Sequence, residues 1–313
     1  MSVFIVGSYV NAHCLRVGRL PVRGESVDAQ AMWDEHGGKG LNFAIGIHRL
    51  GAGAQTLLAV GDDAAGEACI RFMQSEGLTA QSVVKVGGQS GFGVGLIAVD
   101  GSNLIAVYPG ANALLDDEHV YSCWPALRKS RLICAQFEVG DLPIISAFRY
   151  ARSQGVTTLL NPSPWRELTD DLLSLIDILV LNETEAALLL CLDRDVRLSP
   201  DQWGQVLLHY PRPSTLTLLV ITLAEQGCIA LSHEGVVMHQ PAYVIDLVDP
   251  TGAGDAFTAA LAVAWEKRGD LKQCLRFANA CGAIVAAQQG VLAVLPTREQ
   301  VEQFMLEQCS FST

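Results

Sequence analysis

Charge is scarce in this chain. Only 17% of its 313 residues are Asp, Glu, Lys or Arg, and 21 basic against 33 acidic residues leave a net charge of −12. No basic stripe is available to release phosphate counterions, which argues against nucleic acid as the main partner. Long apolar runs are lacking too. The most apolar stretch, Leu172 to Leu192, is broken by Asp177, Asn182, Glu183 and Glu185, whereas a membrane span needs roughly 18 uninterrupted apolar residues. The start, Met1-Ser-Val-Phe-Ile-Val-Gly7, has neither a basic n-region nor a small-residue cleavage site. No signal peptide is expected, and a cytoplasmic protein is. The nine cysteines form no Cys-x-x-Cys pair, so reduced thiols in a cytosolic core are expected. Repeats and low-complexity linkers are also missing, which points to one domain over 1–313. What the chain does have is apolar mass, 50% of its residues, and that excludes a disordered chain.

Near-continuous apolar runs at Val3–Val6, Thr56–Val60, Leu132–Phe137, Thr157–Leu160, Ile178–Leu181, Leu216–Ile221 and Val244–Val248 read as strands covered on both faces. Amphipathic segments lie between them. Leu41–Leu50, Gly66–Glu76 and Asp255–Arg268 each run into a glycine (Gly51, Gly77, Gly269) suited to an αL C-cap. Alternating β and α predicts an α/β fold with a mostly parallel sheet. Residues 10–36 and 91–110 break the alternation. The second contains two strand-like runs around Asp100-Gly101, a hairpin signal. Both are expected as antiparallel pieces outside the main sheet, forming a small lid.

Ligands of open parallel sheets bind beyond the carboxyl ends of the strands. The residues following the apolar runs there are Glu138, Asn161, Asn182-Glu183, Thr222 and Asp249. Strand ends are polar in any case as they leave the core, but the series predicts a polar cleft. Asp249-Pro-Thr-Gly-Ala-Gly-Asp255 joins a predicted strand to a predicted helix through small residues. Backbone N–H groups of Gly252, Ala253 and Gly254 can approach an anion there, and the helix N-terminus adds positive potential. A carboxylate immediately after an anion hole suits phosphoryl transfer, with Asp255 accepting the proton of an attacking hydroxyl. The same spacing also fits an ordinary helix start, with Asp255 complementing the macrodipole. His36-Gly-Gly-Lys-Gly-Leu-Asn42 opens another helix without Walker A spacing. Its glycines permit close approach, and Lys39 and Asn42 can read hydroxyls; a flexible helix start with a solvated lysine is the plainer alternative.

Taken together, Gly37-Gly38-Lys39-Gly40-x-Asn42 and Asp249-Pro-Thr-Gly-Ala-Gly-Asp-Ala-Phe257 resemble the two signatures of the ribokinase-like family, the PfkB carbohydrate kinases. Asn182-Glu183-Thr184-Glu185 resembles the family's metal and phosphate motif, and Asn161-Pro-Ser-Pro164 and Ile221-Thr-Leu223 also have counterparts. The similarity runs from about Gly7 to Pro296. The resemblance implies a three-layer αβα sandwich with an antiparallel β lid that also forms a homodimer interface. It implies ATP-dependent phosphorylation of a sugar hydroxymethyl group, with Asp255 as base and Gly252, Ala253 and Gly254 as anion hole. Asn182 and Glu185 would act on the phosphates and, through water, on Mg²⁺. Thr222, Ala224, Gly227 and Asn279 would meet the nucleotide. Asn11, Gly38, Lys39, Asn42 and Glu138 would meet the sugar. A monovalent cation, potassium among the candidates, would sit by Asp249, Thr251, Val285, Gln288 and Gly290.

The sequence departs from the family pattern at three places. His13 stands two positions after Asn11, where the pattern has an aspartate that holds sugar hydroxyls; an imidazole cannot accept two hydroxyl hydrogen bonds. Ala224 stands where glycine is usual, and Val294 supplies no hydroxyl to the cation site. The substrate expected is therefore a pentose or related sugar, with a nucleoside or an aminated or acidic sugar as the alternative. A non-catalytic sensor and a nicotinamide-dependent oxidoreductase rank lower, since the base and anion-hole glycines are present and Gly7-Ser-Tyr-Val lacks a dinucleotide fingerprint.

Overall fold

The computed structural model describes residues 2–267 and 270–310. Its strands are β1 (Ser2–Val6), β2 (Val10–Val17), β3 (Ala29–Gly37), β4 (Gly53–Val60), β5 (Val83–Lys85), β6 (Gly91–Ala98), β7 (Asn103–Tyr108), β8 (Leu132–Gln136), β9 (Thr157–Asn161), β10 (Ile178–Asn182), β11 (Leu218–Thr222), β12 (Cys228–Ser232) and β13 (Val237–Gln240). The helices are α1 (Lys39–Arg49), α2 (Ala64–Ser75), α3 (Asp117–Ser122), α4 (Trp124–Leu127), α5 (Asp141–Gln154), α6 (Asp170–Leu173), α7 (Glu183–Leu189), α8 (Pro200–Leu208), α9 (Ala253–Glu266), α10 (Leu271–Ala286) and α11 (Arg298–Ser310).

Nine strands form the central sheet in the order β13-β12-β11-β10-β9-β8-β1-β4-β5. Pairing is parallel from β11 through β5, and antiparallel between β11 and β12 and between β12 and β13. Alternate side chains enter two separate cores. Val3, Ile5, Leu58, Leu132 and Cys134 pack on one face, with Phe43 of α1, Leu261 of α9 and Leu275 of α10. Phe4, Val6, Leu57, Ile133 and Ala135 pack on the other, with Phe148 of α5 and Trp203 of α8. Burial on both faces explains why these strands read as unbroken apolar runs rather than alternating ones.

The chain leaves β1 toward β4 and β5, then returns to β8 and proceeds the other way. The topological switch point therefore lies between β1 and β8, where a cleft forms beyond the strand ends. The segments 10–36 and 91–110 meet as a second sheet, β3-β2-β6-β7, rooted at this point. The β2–β3 and β6–β7 pairs are antiparallel as expected. The join between the two segments, β2 with β6, is parallel, because both strands leave the body in the same direction.

Two expectations need correction. Val244–Val248 is not a strand. It runs beyond the edge strand β13, Val244 is 89% exposed, and its backbone is tied instead to a helix end, with Val248 N and Asp249 N donating to Ala286 O. The β12–β13 hairpin was not anticipated and takes the antiparallel edge in its place. The helix expected at Asp255–Arg268 starts earlier, at Ala253, and Arg268 and Gly269 lie outside the described residues. Gly51 and Gly77 do follow α1 and α2 with φ near +80°.

A close backbone approach positions the cleft. A Cβ on Gly40 would meet Ser8 N at 2.3 Å, and one on Gly7 would meet Gly40 Cα at 2.5 Å. The first turn of α1 thus rests directly on the end of β1. Gly40→Ala is expected to lower stability by about 1–3 kcal/mol through forced separation of these backbones, read as a shift in the urea midpoint at unchanged slope.

Candidate active site

The N-termini of α1 and α9 converge beyond β1 and β8. Gly38, at φ 94°, turns the chain from β3 into α1. A Cβ there would lie 2.9 Å from Ser8 O and Val10 N. Gly252, at φ 78°, starts α9, and its Cα faces Val291, which a Cβ would strike at 2.6 Å. Between the helix starts lies Asp255, 5% exposed. Its Oδ1 accepts from Lys39 Nζ at 2.9 Å, and its Oδ2 accepts from Asn42 Nδ2 at 2.7 Å. Burial pulls the Lys39 ammonium toward neutrality. The carboxylates of Asp255, Glu138 and Glu185 outweigh that and hold its pKa above the ordinary value. Lys39 therefore stays charged, and its ammonium serves Asp255 rather than standing in solvent.

Asn42 Oδ1 is buried and has no hydrogen-bond partner. A buried acceptor without a donor costs free energy, so this atom, beside the carboxylate, suits a ligand hydroxyl. Glu138 lies on the same side. It accepts from Lys39 N at 2.8 Å and from the Ser8 hydroxyl. Its loop is clamped by Arg166, which donates to Phe137 O at 2.7 Å, to Val139 O at 2.8 Å and to Asp141, with its guanidinium over the Phe137 ring. Ser8 and Arg166 were not anticipated. Ser8 was legible as the residue just past β1; nothing local marks Arg166, which acts through tertiary contacts.

On the lid, Asn11 and His13 share one face of β2, and Nδ2 of the first lies 3.0 Å from Nε2 of the second. His13 Nδ1 is 2.5 Å from Oδ1 of Asp34, its cross-strand partner on β3. A carboxylate thus reaches this face from the neighbouring strand.

The α9 start offers backbone N–H groups that have no intrahelical carbonyl to meet. Of the three amides expected to hold an anion, Ala253 N instead donates to Pro250 O at 3.2 Å. Across the sheet edge, Asn182 and Glu185 form a reciprocal capping box at the start of α7. Thr222 ends β11, its hydroxyl donating to Leu181 O at 3.3 Å. Ala224 adopts φ 47°, the left-handed region that makes glycine usual there. Gly227, at φ 91°, sits so near Gln240 O that a Cβ would lie 2.1 Å from it. Asn279 donates to Gln240 O at 3.1 Å and Pro241 O at 3.0 Å. Its amide nitrogen therefore fastens the end of β13 to α10.

Among the described residues, no group of three or more His, Cys, Asp or Glu side chains converges as a metal site. A hydrated Mg²⁺ needs only one or two carboxylates beside phosphates, and Glu185 with Asn182 fits that demand. The segment expected to hold a monovalent cation lies where the chain before α9 meets the end of α10. Asp249 Oδ1 accepts from Thr251 N at 2.9 Å, and the Val285 and Ala286 carbonyls lie at the end of α10, where Val248 N and Asp249 N bond to Ala286 O. Gln288 and Gly290, at φ 100°, follow directly. The Gln288 side-chain amide instead donates to Ile284 O.

Residues 2–298 match the family model described as pfkB family carbohydrate kinase. A ribokinase of Staphylococcus aureus (strain COL) is 32% identical over 96% of this chain and 99% of its own length. A deoxyribokinase of Salmonella typhi is 29% identical over 97% and 99%. An Arabidopsis thaliana ribokinase solved with ribose and ATP superposes with a TM-score of 0.84 at 26% identity, covering 97% of this chain and 98% of that one. The chain belongs to the pfkB carbohydrate kinase family and is a phosphotransferase of the kind that acts on a sugar hydroxyl.

Burial lifts the Glu185 carboxyl above its ordinary pKa. The hydrogen bonds from Asn182 N and the Ser163 hydroxyl, and the charge of Lys39, oppose that lift without cancelling it. A carboxyl with a raised folded pKa stabilises while protonated, and that stability is lost as pH rises through the folded value. Glu185→Gln keeps an oxygen for the capping box. It should therefore raise the urea midpoint at neutral and alkaline pH, with the gain vanishing below about pH 4. A midpoint shift that does not change with pH would show that the charge carries no such cost.

Proposed function

We propose that this family member transfers the γ-phosphoryl group of ATP to a hydroxymethyl group of a pentose or related sugar. The observation that carries the reading is the shared carboxylate of Asp255, held between Lys39 and Asn42 at the start of α9. In the proposed reaction the acceptor hydroxyl oxygen bonds to the γ-phosphorus, its proton passes to Asp255, and ADP leaves. Lys39 and Asn42 hold the two Asp255 oxygens in place for that transfer. Asn42 Oδ1 and Glu138 offer acceptors to other hydroxyls of the sugar, and Asn11 reaches them from the lid. The first-turn amides at Gly252 and Gly254 stabilise charge on the phosphoryl oxygens where it builds. Thr222, Ala224, Gly227 and Asn279 shape the nucleotide side. Asn182 and Glu185 would hold hydrated Mg²⁺, which neutralises phosphate charge when bound. A monovalent cation at Asp249, Thr251 and the end of α10 would stiffen the loop before α9.

A second acceptor class, nucleosides or modified sugars, is favoured by one observation: the His13 ring packs on Phe92, with centroids 4.7 Å apart, next to Asn11. That aromatic wall suits a flat substituent. Thermal shifts with pentoses, ketohexoses and nucleosides separate the two classes.

Asp255→Asn keeps the shape and removes the proton acceptor. We expect kcat for the best sugar to fall at least roughly 100-fold, with KM changed little, in a coupled ADP-release assay. Retention of most of the activity would remove Asp255 from the role of base.

The lid supports a homodimer. Strand β7 carries Leu104, Ile105, Val107 and Tyr108 at its outer edge, all exposed, with Ile105 at 61%. An unpaired apolar edge of this kind calls for a cover, and a second copy's lid supplies one. Ile105→Asp is expected to convert a dimer to a monomer in light scattering. A wild-type monomer at all concentrations would refute the arrangement.

A further inference from the structure

We propose that Asp34, acting through His13, is a positioning residue that determines which polar atom Asn11 presents to the acceptor. The inference rests on the kinase reading above and concerns the lid wall of the same site. His13 and Asp34 are direct partners across β2 and β3, with Nδ1 and Oδ1 2.5 Å apart. An ionised carboxylate can only accept, so Nδ1 donates to it. A neutral ring then carries its lone pair on Nε2, which accepts from Asn11 Nδ2 at 3.0 Å. Phe92 holds the ring from its flat side, 4.7 Å between centroids.

One atom of Asn11 is committed in this way. With Nδ2 turned to the ring, Oδ1 is directed to the other side of the amide, where it can only accept. The lid wall therefore demands a hydroxyl donor. Remove Asp34 and nothing selects the Nδ1–H tautomer. A ring protonated at Nε2 would donate toward Asn11, the amide would turn over, and its NH₂ group would face the acceptor instead. Asn11, His13 and Asp34 lie on the sheet face that also carries His36. His36 stacks on Phe72 of α2 at 4.6 Å, so this face looks back toward the main sheet and the cleft. The aspartate missing after Asn11 in the sequence is thus replaced not by the histidine itself but by a carboxylate one strand away. It acts on the substrate through an orientation rather than through contact.

The test compares wild type, Asn11→Ala, Asp34→Asn and the double variant. Ribose, 2-deoxyribose and 3-deoxyribose serve as acceptors, with thermal melting as a folding control. In wild type, loss of the hydroxyl that Asn11 reads should lower kcat/KM by about 10- to 100-fold. Asn11→Ala and Asp34→Asn should each erase most of that penalty, through KM and with kcat nearly unchanged. The double variant should be no worse than Asn11→Ala, since both remove one device. Nitrogen NMR of His13 should report an Nδ1–H ring in wild type and loss of that preference in Asp34→Asn, a readout independent of turnover. Two results overturn the proposal alone: a deoxy penalty that survives Asp34→Asn, or losses that multiply in the double variant. If wild type phosphorylates none of these sugars, the pentose reading fails, and this inference fails with it.

Discussion

The carboxylate of Asp255 joins parts of the chain that are far apart in sequence. Lys39 and Asn42 reach it from α1, and it belongs to the first turn of α9. The three groups meet because the two helices pack against each other. A Cβ on Gly46 would lie 3.1 Å from Ala259 Cβ, so a larger residue in α1 would have to push α9 away by a few tenths of an ångström. Once the helices are side by side, their positive ends point into one space. A carboxylate placed there is stabilised by both dipoles and by a charged lysine. The catalytic geometry proposed here is therefore a consequence of helix packing in the first core as much as of the residues that line the cleft.

The same space sits over the switch point of the sheet. β1 and β8 send their chain ends apart, and Ser8 and Glu138, each two residues beyond its strand, bond to each other across the opening. Glu138 then accepts from Lys39 N, which ties the loop after β8 to the start of α1. Arg166 closes the ring by holding the carbonyls on either side of Glu138. Few of these contacts touch the space where an acceptor would lie. They matter because a misplacement of one ångström at the reacting groups is costly in rate.

Most of the central sheet was legible from apolar runs, because a strand buried on both faces is apolar over most of its length. That rule failed at Val244–Val248 for a physical reason. The run is apolar, but β13 already occupies the edge, and nothing beyond it offers a ladder. The site was legible where function demands a backbone feature: glycines at 38, 252 and 227, and a carboxylate at a helix start. Asp34 was not legible as a site residue. Its relevance comes only from the register that sets it opposite His13, and register is a tertiary property that no single strand announces. Arg166 was missed for the same kind of reason. His13 could be seen as a departure from the family pattern, but its partner, and so its meaning, could not.

Charge balance explains why such a site costs the fold something. Around the buried ammonium of Lys39 stand Asp255, Glu138 and Glu185, one positive group against three negative ones. Burial of its carboxyl is the main reason the Glu185 pKa is raised, and the nearby Asp255 charge adds a smaller push in the same direction. A core built for stability alone would replace Glu185 with a neutral residue able to keep the capping box. Its retention makes sense if the missing positive charge arrives with the substrate. Under the proposed reading, a nucleotide bound with its cation would bring that charge and relieve the repulsion at the moment of binding. Part of the binding free energy of the complex would then be strain already present in the empty protein.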